Sequence, residues 1–99
     1  MSTVVVPADH PALPGHFPGR PIVPGVMLLD AVLEAVRALP GAPRPARVLR
    51  AKFVAPVRPE EGVDIALEPR AGGRVAFTCR VGDTTVLLGE LACETPPQP

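Results

Sequence analysis

The chain has 99 residues, the length of one small domain, and its 10 Lys and Arg residues balance 10 Asp and Glu residues. Without net charge at pH 7 it has no long-range attraction for nucleic acid or an anionic membrane, so neither is expected as a partner. There is no Trp or Tyr and there are only 3 Phe, so the core must be largely aliphatic. Because a domain this small buries only about 60–70% of its unfolded surface, self-association is expected.

Targeting and redox signals are weak. No apolar run approaches the roughly 18 residues that cross a bilayer, and the N-terminus lacks the basic segment and apolar core of a secretory signal. A cytoplasmic location is therefore expected. Cys79 and Cys93 lie in apolar, strand-like surroundings without Cys-x-x-Cys spacing. They are expected to be reduced and buried, and no metal site is expected.

The first part of the chain predicts a short strand, a stiff loop and one helix. Thr3–Val6 is a β-branched run that ends at a proline, which indicates a strand. Residues 8–23 are rich in Pro and Gly and predict a stiff loop. The helix is expected to open near Pro24, where the missing N–H costs nothing, and to stop before Pro40-Gly41. Residues 40–45 predict a rigid link.

After the link, the hydrophobic period changes from that of a helix to that of strands. Gly72-Gly73 and Gly82-Asp83 are tight-turn signals that join antiparallel neighbours. Because the helix has a wide apolar surface and only the sheet can cover it, an α+β fold follows, with a curved antiparallel sheet wrapped around one central helix. The expected strands are residues 49–53, 63–68, 74–81 and 85–93, in a single domain of residues 1–94 with a frayed Pro-rich tail at 95–99.

A base and an acid flank the start of the helix. His16 lies in the loop and Asp30 about a turn and a half into the helix, on either side of free backbone N–H groups. His16 could equally hydrogen-bond neighbouring backbone, and Asp30, Glu34 and Arg37 could form only the solvated face of an amphipathic helix. These alternatives stay open on spacing alone. His10 is expected to be an ordinary exposed loop residue.

A basic row follows the helix at Arg50, Lys52 and Arg58. Its simplest interpretation is a solvated sheet face that pairs across strands with Asp64 and Glu68. Binding of an acidic partner is the alternative.

A family resemblance runs from Gly15 to Asp30. These residues read Gly-His-Phe-Pro-Gly-Arg-Pro-Ile-Val-Pro-Gly-Val-Met-Leu-Leu-Asp. The stretch resembles the active-site signature of the 3-hydroxyacyl-[acyl-carrier-protein] dehydratases of the FabA/FabZ type, including the interval of fourteen residues from His16 to Asp30. The resemblance continues at Lys52-Phe53, Pro56-Val57 and Pro59. It implies a hotdog fold, which is the architecture expected above, and the short form is similar to dehydratases of specialised polyene-type pathways.

The resemblance also implies the reaction. Such an enzyme removes water from a 3-hydroxyacyl thioester on the phosphopantetheine arm of an acyl carrier protein, without a further cofactor, and leaves a trans-2-enoyl thioester. His16 would be the general base or proton shuttle and Asp30 the acid, supplied by opposite protomers of a homodimer or of a heterodimer with a related hotdog subunit. The Gly25 N–H would hold the thioester oxygen, and the Ile22 C=O would orient the His16 ring.

Two further groups of residues are candidates for substrate contact. Phe17, Val26 and Phe53 are the expected walls of the acyl tunnel. The candidates for meeting an acidic carrier protein are Arg47, Arg50 and Lys52.

The dehydration that the resemblance implies needs a base, a hydrogen-bond donor for the enolate oxygen and an acid. Imidazole titrates near neutral pH and suits removal of the C2 proton, and a backbone N–H at a helix N-terminus stabilises the enolate oxygen. Asp30 can donate a proton only from a dry dimer cleft that favours its neutral form. In a wet cleft, Asp30 orients the leaving water and His16 returns its proton.

One departure from the family pattern keeps other functions open. Glu34 stands four residues after the acid, where the family commonly has Gln. A non-catalytic acyl-binding subunit that completes a heterodimer, or a hotdog thioesterase, are therefore the alternatives to a dehydratase.

Overall fold

The computed structural model describes residues 2–7, 9 and 22–94. In chain order the elements are β1 (Ser2–Val5), α1 (Gly25–Arg37), β2 (Arg44–Phe53), β3 (Gly62–Arg70), β4 (Arg74–Val81) and β5 (Thr84–Glu94). The strands form one antiparallel sheet in the order β1-β3-β4-β5-β2, which leaves β1 and β2 at its two edges. The expected sheet with one helix packed on it is present. The predicted tail at 95–99 and most of the predicted loop lie outside the described residues.

The helix α1 follows directly from its sequence pattern. It begins after Pro24, whose carbonyl accepts the Met27 N–H at 3.0 Å. Leu28, Val32 and Val36 recur every four residues and are all buried. Each such aliphatic side chain contributes roughly 1.5–3 kcal/mol when it leaves water. This face therefore fixes which side of the helix meets the sheet.

The core lies between α1 and the inner face of the sheet. Among the described residues it contains no buried polar or charged side chain. In β5 a register shift opposite Cys79 and Arg80 lets two consecutive residues, Val86 and Leu87, both be buried. The buried side chains from the strands and loops are Val23, Val57, Val63, Ile65, Val75, Phe77, Cys79, Val86, Leu87 and Leu91.

The turns between the last three strands are as expected. Gly72 and Gly73 have φ of 79° and 73°, a region that favours glycine, and they close the β3–β4 hairpin. The Gly73 carbonyl also accepts the Cys93 N–H at 2.7 Å, which ties the turn to the end of β5.

Two predictions about β2 were wrong. The strand begins at Arg44, inside the expected rigid link, because β2 is an edge strand where Pro45 is tolerated. The basic row does not pair with Asp64 and Glu68. Since β1 and β4 already flank β3, β2 pairs with the free side of β5, and Arg50 lies opposite Glu90.

The two acidic residues of that prediction have other neighbours. The Asp64 carboxylate accepts a 2.7 Å hydrogen bond from the Thr3 hydroxyl, and Glu68 lies 3.6 Å from Arg70.

In the described part of the chain, no helix has the length and hydropathy to cross a membrane.

Both cysteines are free thiols, as expected, although only Cys79 is fully buried and Cys93 is half-buried. Burial raises the pKa of Cys79 to about 11 and also raises the pKa of Cys93. Burial disfavours the thiolate, which is the reactive form.

The thiols should therefore react in order of exposure. With iodoacetamide at about pH 8, we expect Cys93 to be alkylated in the folded protein and Cys79 only after denaturation, as measured by peptide mass spectrometry. Equal rates of modification in the folded protein would contradict the buried position of Cys79.

Gly89 in β5 is required by close packing. A Cβ at this position would collide with the Arg50 carbonyl oxygen and lie 2.6 Å from Phe77 Cζ. Since backbone cannot move aside as a side chain can, we expect Gly89→Ala to lower the free energy of unfolding by about 1–3 kcal/mol, measured by urea denaturation. Gly62→Ala is the matched control because its Cβ meets nothing closer than Thr3 Cγ2 at 3.7 Å. A larger loss in the control would refute the explanation.

Candidate active site

An apolar groove of about 580 Å³ opens at the N-terminus of α1. One wall is the segment 22–26 that leads into the helix, and the other is the segment 53–57 that follows β2. The groove therefore forms where the helix start meets the end of an edge strand.

A backbone hydrogen bond joins the two walls. The Val23 N–H donates to the Val57 carbonyl at 2.7 Å, and both side chains are buried. Beyond β2, the Val54 N–H donates to the Val86 carbonyl at 2.8 Å and holds the second wall against β5. These contacts fix the position of the first turn of α1 relative to the sheet.

The helix N-terminus in this groove has no side-chain cap. Pro24 stands at the cap position, and the first turn contains no acidic residue. Gly25 is the first helical residue, so its N–H has no intrahelical acceptor and lies at the positive end of the helix dipole. Such an amide can stabilise negative charge that develops on a substrate oxygen.

Phe53 covers this part of the helix. A Cβ on Gly25 would lie 2.6 Å from Phe53 Cε1 and 2.9 Å from Cζ, so the ring packs where a side chain would otherwise stand. Glycine is therefore needed here for close approach. The outer rim of the groove is open, with exposed fractions of 65% for Val26, 53% for Phe53 and 50% for Val54.

The structure brings together four of the predicted site residues. Ile22, Gly25, Val26 and Phe53 all line the groove. Asp30 lies one turn beyond Val26 on α1 and is exposed. His16 and Phe17 lie outside the described residues, as does His10, so their predicted positions remain predictions.

Glu34 and Arg37 lie further along the helix. Their side chains form a 3.0 Å ion pair on the exposed surface, which agrees with the solvated-face interpretation of these two residues. Exposed pairs of this kind add about 0.3–0.5 kcal/mol. Within the described residues, no group of three or more His, Cys, Asp or Glu side chains is arranged to hold a metal ion.

The three predicted carrier-binding residues, Arg47, Arg50 and Lys52, lie exposed on β2.

Sequence reasoning missed the wall formed by Val54 and Val57. The available signals were Pro56-Val57 in the family resemblance and the position of these residues between Phe53 and Pro59, and neither reveals which backbone groups they bind.

Comparisons with known proteins agree with this geometry. The family model of the ApeI-like dehydratases, described as ApeI dehydratase, matches residues 1–90. The FabZ 3-hydroxyacyl-[acyl-carrier-protein] dehydratase of Acidovorax sp. (strain JS42) is 33% identical over 103 residues, which cover 89% of this chain and 71% of that protein. The FabZ of Chlamydia trachomatis serovar L2 is 33% identical over 101 residues, 88% of this chain and 66% of that protein.

Two solved structures share the fold. The dehydratase heterocomplex ApeI:P from Xenorhabdus doucetiae aligns with a TM-score of 0.78 at 22% identity, covering 92% of this chain and 82% of that chain. An uncharacterised protein from Erwinia carotovora subsp. atroseptica aligns with a TM-score of 0.72 at 26% identity, covering 94% and 80%.

One helix packed on a curved antiparallel sheet is the hotdog fold, and the matches to dehydratases give the class of enzyme. The chain belongs to the ApeI-like dehydratase family. The expected fold, family and lyase class are confirmed, and the alternative functions are not favoured.

The contact between Gly25 and Phe53 can be tested by substitution. We expect Gly25→Ala to push the exposed Phe53 ring outward and therefore to cost less stability than Gly89→Ala, where backbone blocks the new methyl group. Aromatic NMR should show a changed Phe53 ring environment, with the ring in ordinary van der Waals contact with the new methyl group. An unmoved ring would contradict the close approach described above.

Proposed function

We propose that this chain dehydrates a 3-hydroxyacyl thioester carried by an acyl carrier protein, in a site that a second chain completes. The observation that supports it most is the uncapped start of α1, with the Gly25 N–H at the end of an apolar groove. The FabZ relatives carry the name of this reaction, and the neighbour from X. doucetiae is a heterocomplex of dehydratase chains.

The first step of the proposed reaction removes a proton from C2 of the acyl group. His16 takes the proton, and negative charge develops on the thioester oxygen. The Gly25 N–H donates to that oxygen, assisted by the helix dipole. Loss of such a donor typically costs about 3 kcal/mol of transition-state stabilisation, so the fixed position of this amide is central to the proposal.

The second step breaks the bond between C3 and its hydroxyl oxygen. The C2–C3 double bond forms, and the hydroxyl group accepts a proton from Asp30 and leaves as water. The elimination changes no overall oxidation level, so we propose no cofactor beyond the phosphopantetheine arm that carries the substrate.

Asp30 requires a second chain for this role. In the single chain its side chain is exposed, whereas a carboxyl group that donates a proton near neutral pH needs a dry environment. The open apolar rim at Val26, Phe53 and Val54 offers a surface that a second chain could cover. In this arrangement the His16 of one chain and the acid of the other share a groove.

The proposed roles predict which substitutions abolish turnover. His16→Ala and Asp30→Asn should each lower the dehydration rate by about 10²–10⁴-fold. Asp30→Asn should leave the urea midpoint nearly unchanged, because Asp30 is exposed. The rate is measured by mass spectrometry as loss of water from carrier-bound 3-hydroxyacyl chains of several lengths.

Glu34→Gln is the matched control one turn further along α1, since it removes a carboxylate that pairs only with Arg37 in the described residues. It should retain most of the activity. Equal losses in the Asp30 and Glu34 variants would argue for a general charge effect, and full activity in the His16 variant would rule out the proposed base.

A further inference from the structure

The groove at the start of α1 has an open rim and a buried inner end. Val26 and Phe53 stand exposed at the rim. The inner end is formed by the three lining residues that are buried, Val23, Leu28 and Val57. The arm of a carrier protein reaches the groove across the open rim, so the far end of the acyl chain that it carries would point toward the inner end.

Two of the three residues at the inner end are held by the backbone. The Val23 N–H donates to the Val57 carbonyl at 2.7 Å. Each of these valines also has a proline as its neighbour, Pro24 or Pro56, and the proline ring fixes the local backbone. Their positions are therefore set by the chain path. Leu28, the third residue, closes the inner end with its side chain alone.

Leu28 stands three residues after Gly25 on α1. Helical residues three apart are neighbours on the helix surface, with about 5–6 Å between their Cβ positions. Helical side chains also lean toward the N-terminus of the helix. The Leu28 side chain therefore extends from the core toward the first turn and reaches the groove that Gly25 also lines.

We propose that Leu28 sets the length of the acyl chain that the groove accepts, and that the unmodified protein prefers short acyl chains. This inference rests on the proposed function, which places the thioester oxygen of the substrate at the Gly25 amide. A chain held there meets the Leu28 side chain after only a few methylene groups. A longer chain would have to displace this buried side chain or leave its own end in water, and both cost binding free energy.

The packing behind Leu28 explains why this side chain alone can set the limit. The next residue on the buried face of α1 is Val32, which is fully buried and does not line the groove. Val32 and Val36 hold the helix in the core, so the helix cannot close a space left at Leu28. Removal of carbons from Leu28 would therefore extend the groove inward, and apolar space of this kind binds apolar ligands.

The arm of the carrier protein is the competing occupant of the inner end. The arm contains amide groups, which lose hydrogen bonds to water when they are buried without polar partners. The three side chains at the inner end are aliphatic, and the described residues include no buried polar or charged side chain. A methylene chain loses no hydrogen bond there, so the observations favour the acyl chain.

Substitutions of Leu28 test the length limit. Leu28→Val and Leu28→Ala shorten the side chain in two steps, and Leu28→Phe lengthens it. The valine variant removes a single carbon and keeps the test available if the alanine variant does not fold. Val32→Ala is the matched control, because it opens space on the same face of α1 at a residue that does not line the groove.

Binding is measured by calorimetry with a series of S-alkanoyl pantetheine thioesters, each one methylene group longer than the last. These ligands lack the 3-hydroxyl group and cannot lose water, so the measurement does not depend on turnover. We expect the longest chain that binds well to grow with each shortening of Leu28, and each methylene group that enters the new space to tighten binding about fourfold. Leu28→Phe should shift the preference to shorter chains.

The control should keep the chain-length preference of the unmodified protein. The same preference in all folded Leu28 variants would overturn the proposal. A shift in Val32→Ala as large as that in Leu28→Ala would overturn it as well, because a general loosening of the core would then explain both.

Turnover separates this inference from the proposed function. Carrier-bound 3-hydroxyacyl chains of the same lengths are assayed for loss of water by mass spectrometry. If the binding preference follows the Leu28 variants but no chain loses water, the length limit is supported and the proposed function fails. If water is lost with a length profile that no Leu28 variant shifts, the dehydratase stands and the length limit fails.

Discussion

The junction between the start of α1 and the end of β2 is the constraint on which the site depends. The Val23 N–H bonds the Val57 carbonyl, and both valine side chains are buried. A backbone hydrogen bond contributes about 1 kcal/mol net, whereas each buried valine contributes roughly 1.5–3 kcal/mol. Burial therefore holds the two segments together, and the hydrogen bond sets their register. Together they place Gly25 at the lining of the groove.

The sheet supports this junction through a local irregularity. A register shift in β5 buries both Val86 and Leu87, so the Val86 side chain joins the core while its carbonyl accepts the Val54 N–H. A regular strand would turn one of two neighbouring side chains outward. The bulge thus lets one residue serve the core and anchor the second wall of the groove.

Local sequence patterns predicted most of the helix and strand positions but little of the pairing between strands. Apolar periodicity located α1 and the strands β3 to β5, and Gly72-Gly73 marked the hairpin, because these features depend on neighbouring residues. The extent of β2 and its pairing with β5 depend on which sheet edge is free, which no local pattern records. At the site, the motif gave Gly25 and Phe53, whereas the bond between Val23 and Val57 joins segments that are distant in sequence.

Phe53 connects the edge strand β2 with the groove at the start of α1. It is the last residue of the cationic edge strand β2, and its ring also packs against Gly25 at the start of α1. Among the described residues the ring is 53% exposed and no strand lies along the outer side of β2. One side chain therefore joins the open end of β2 to the first turn of α1.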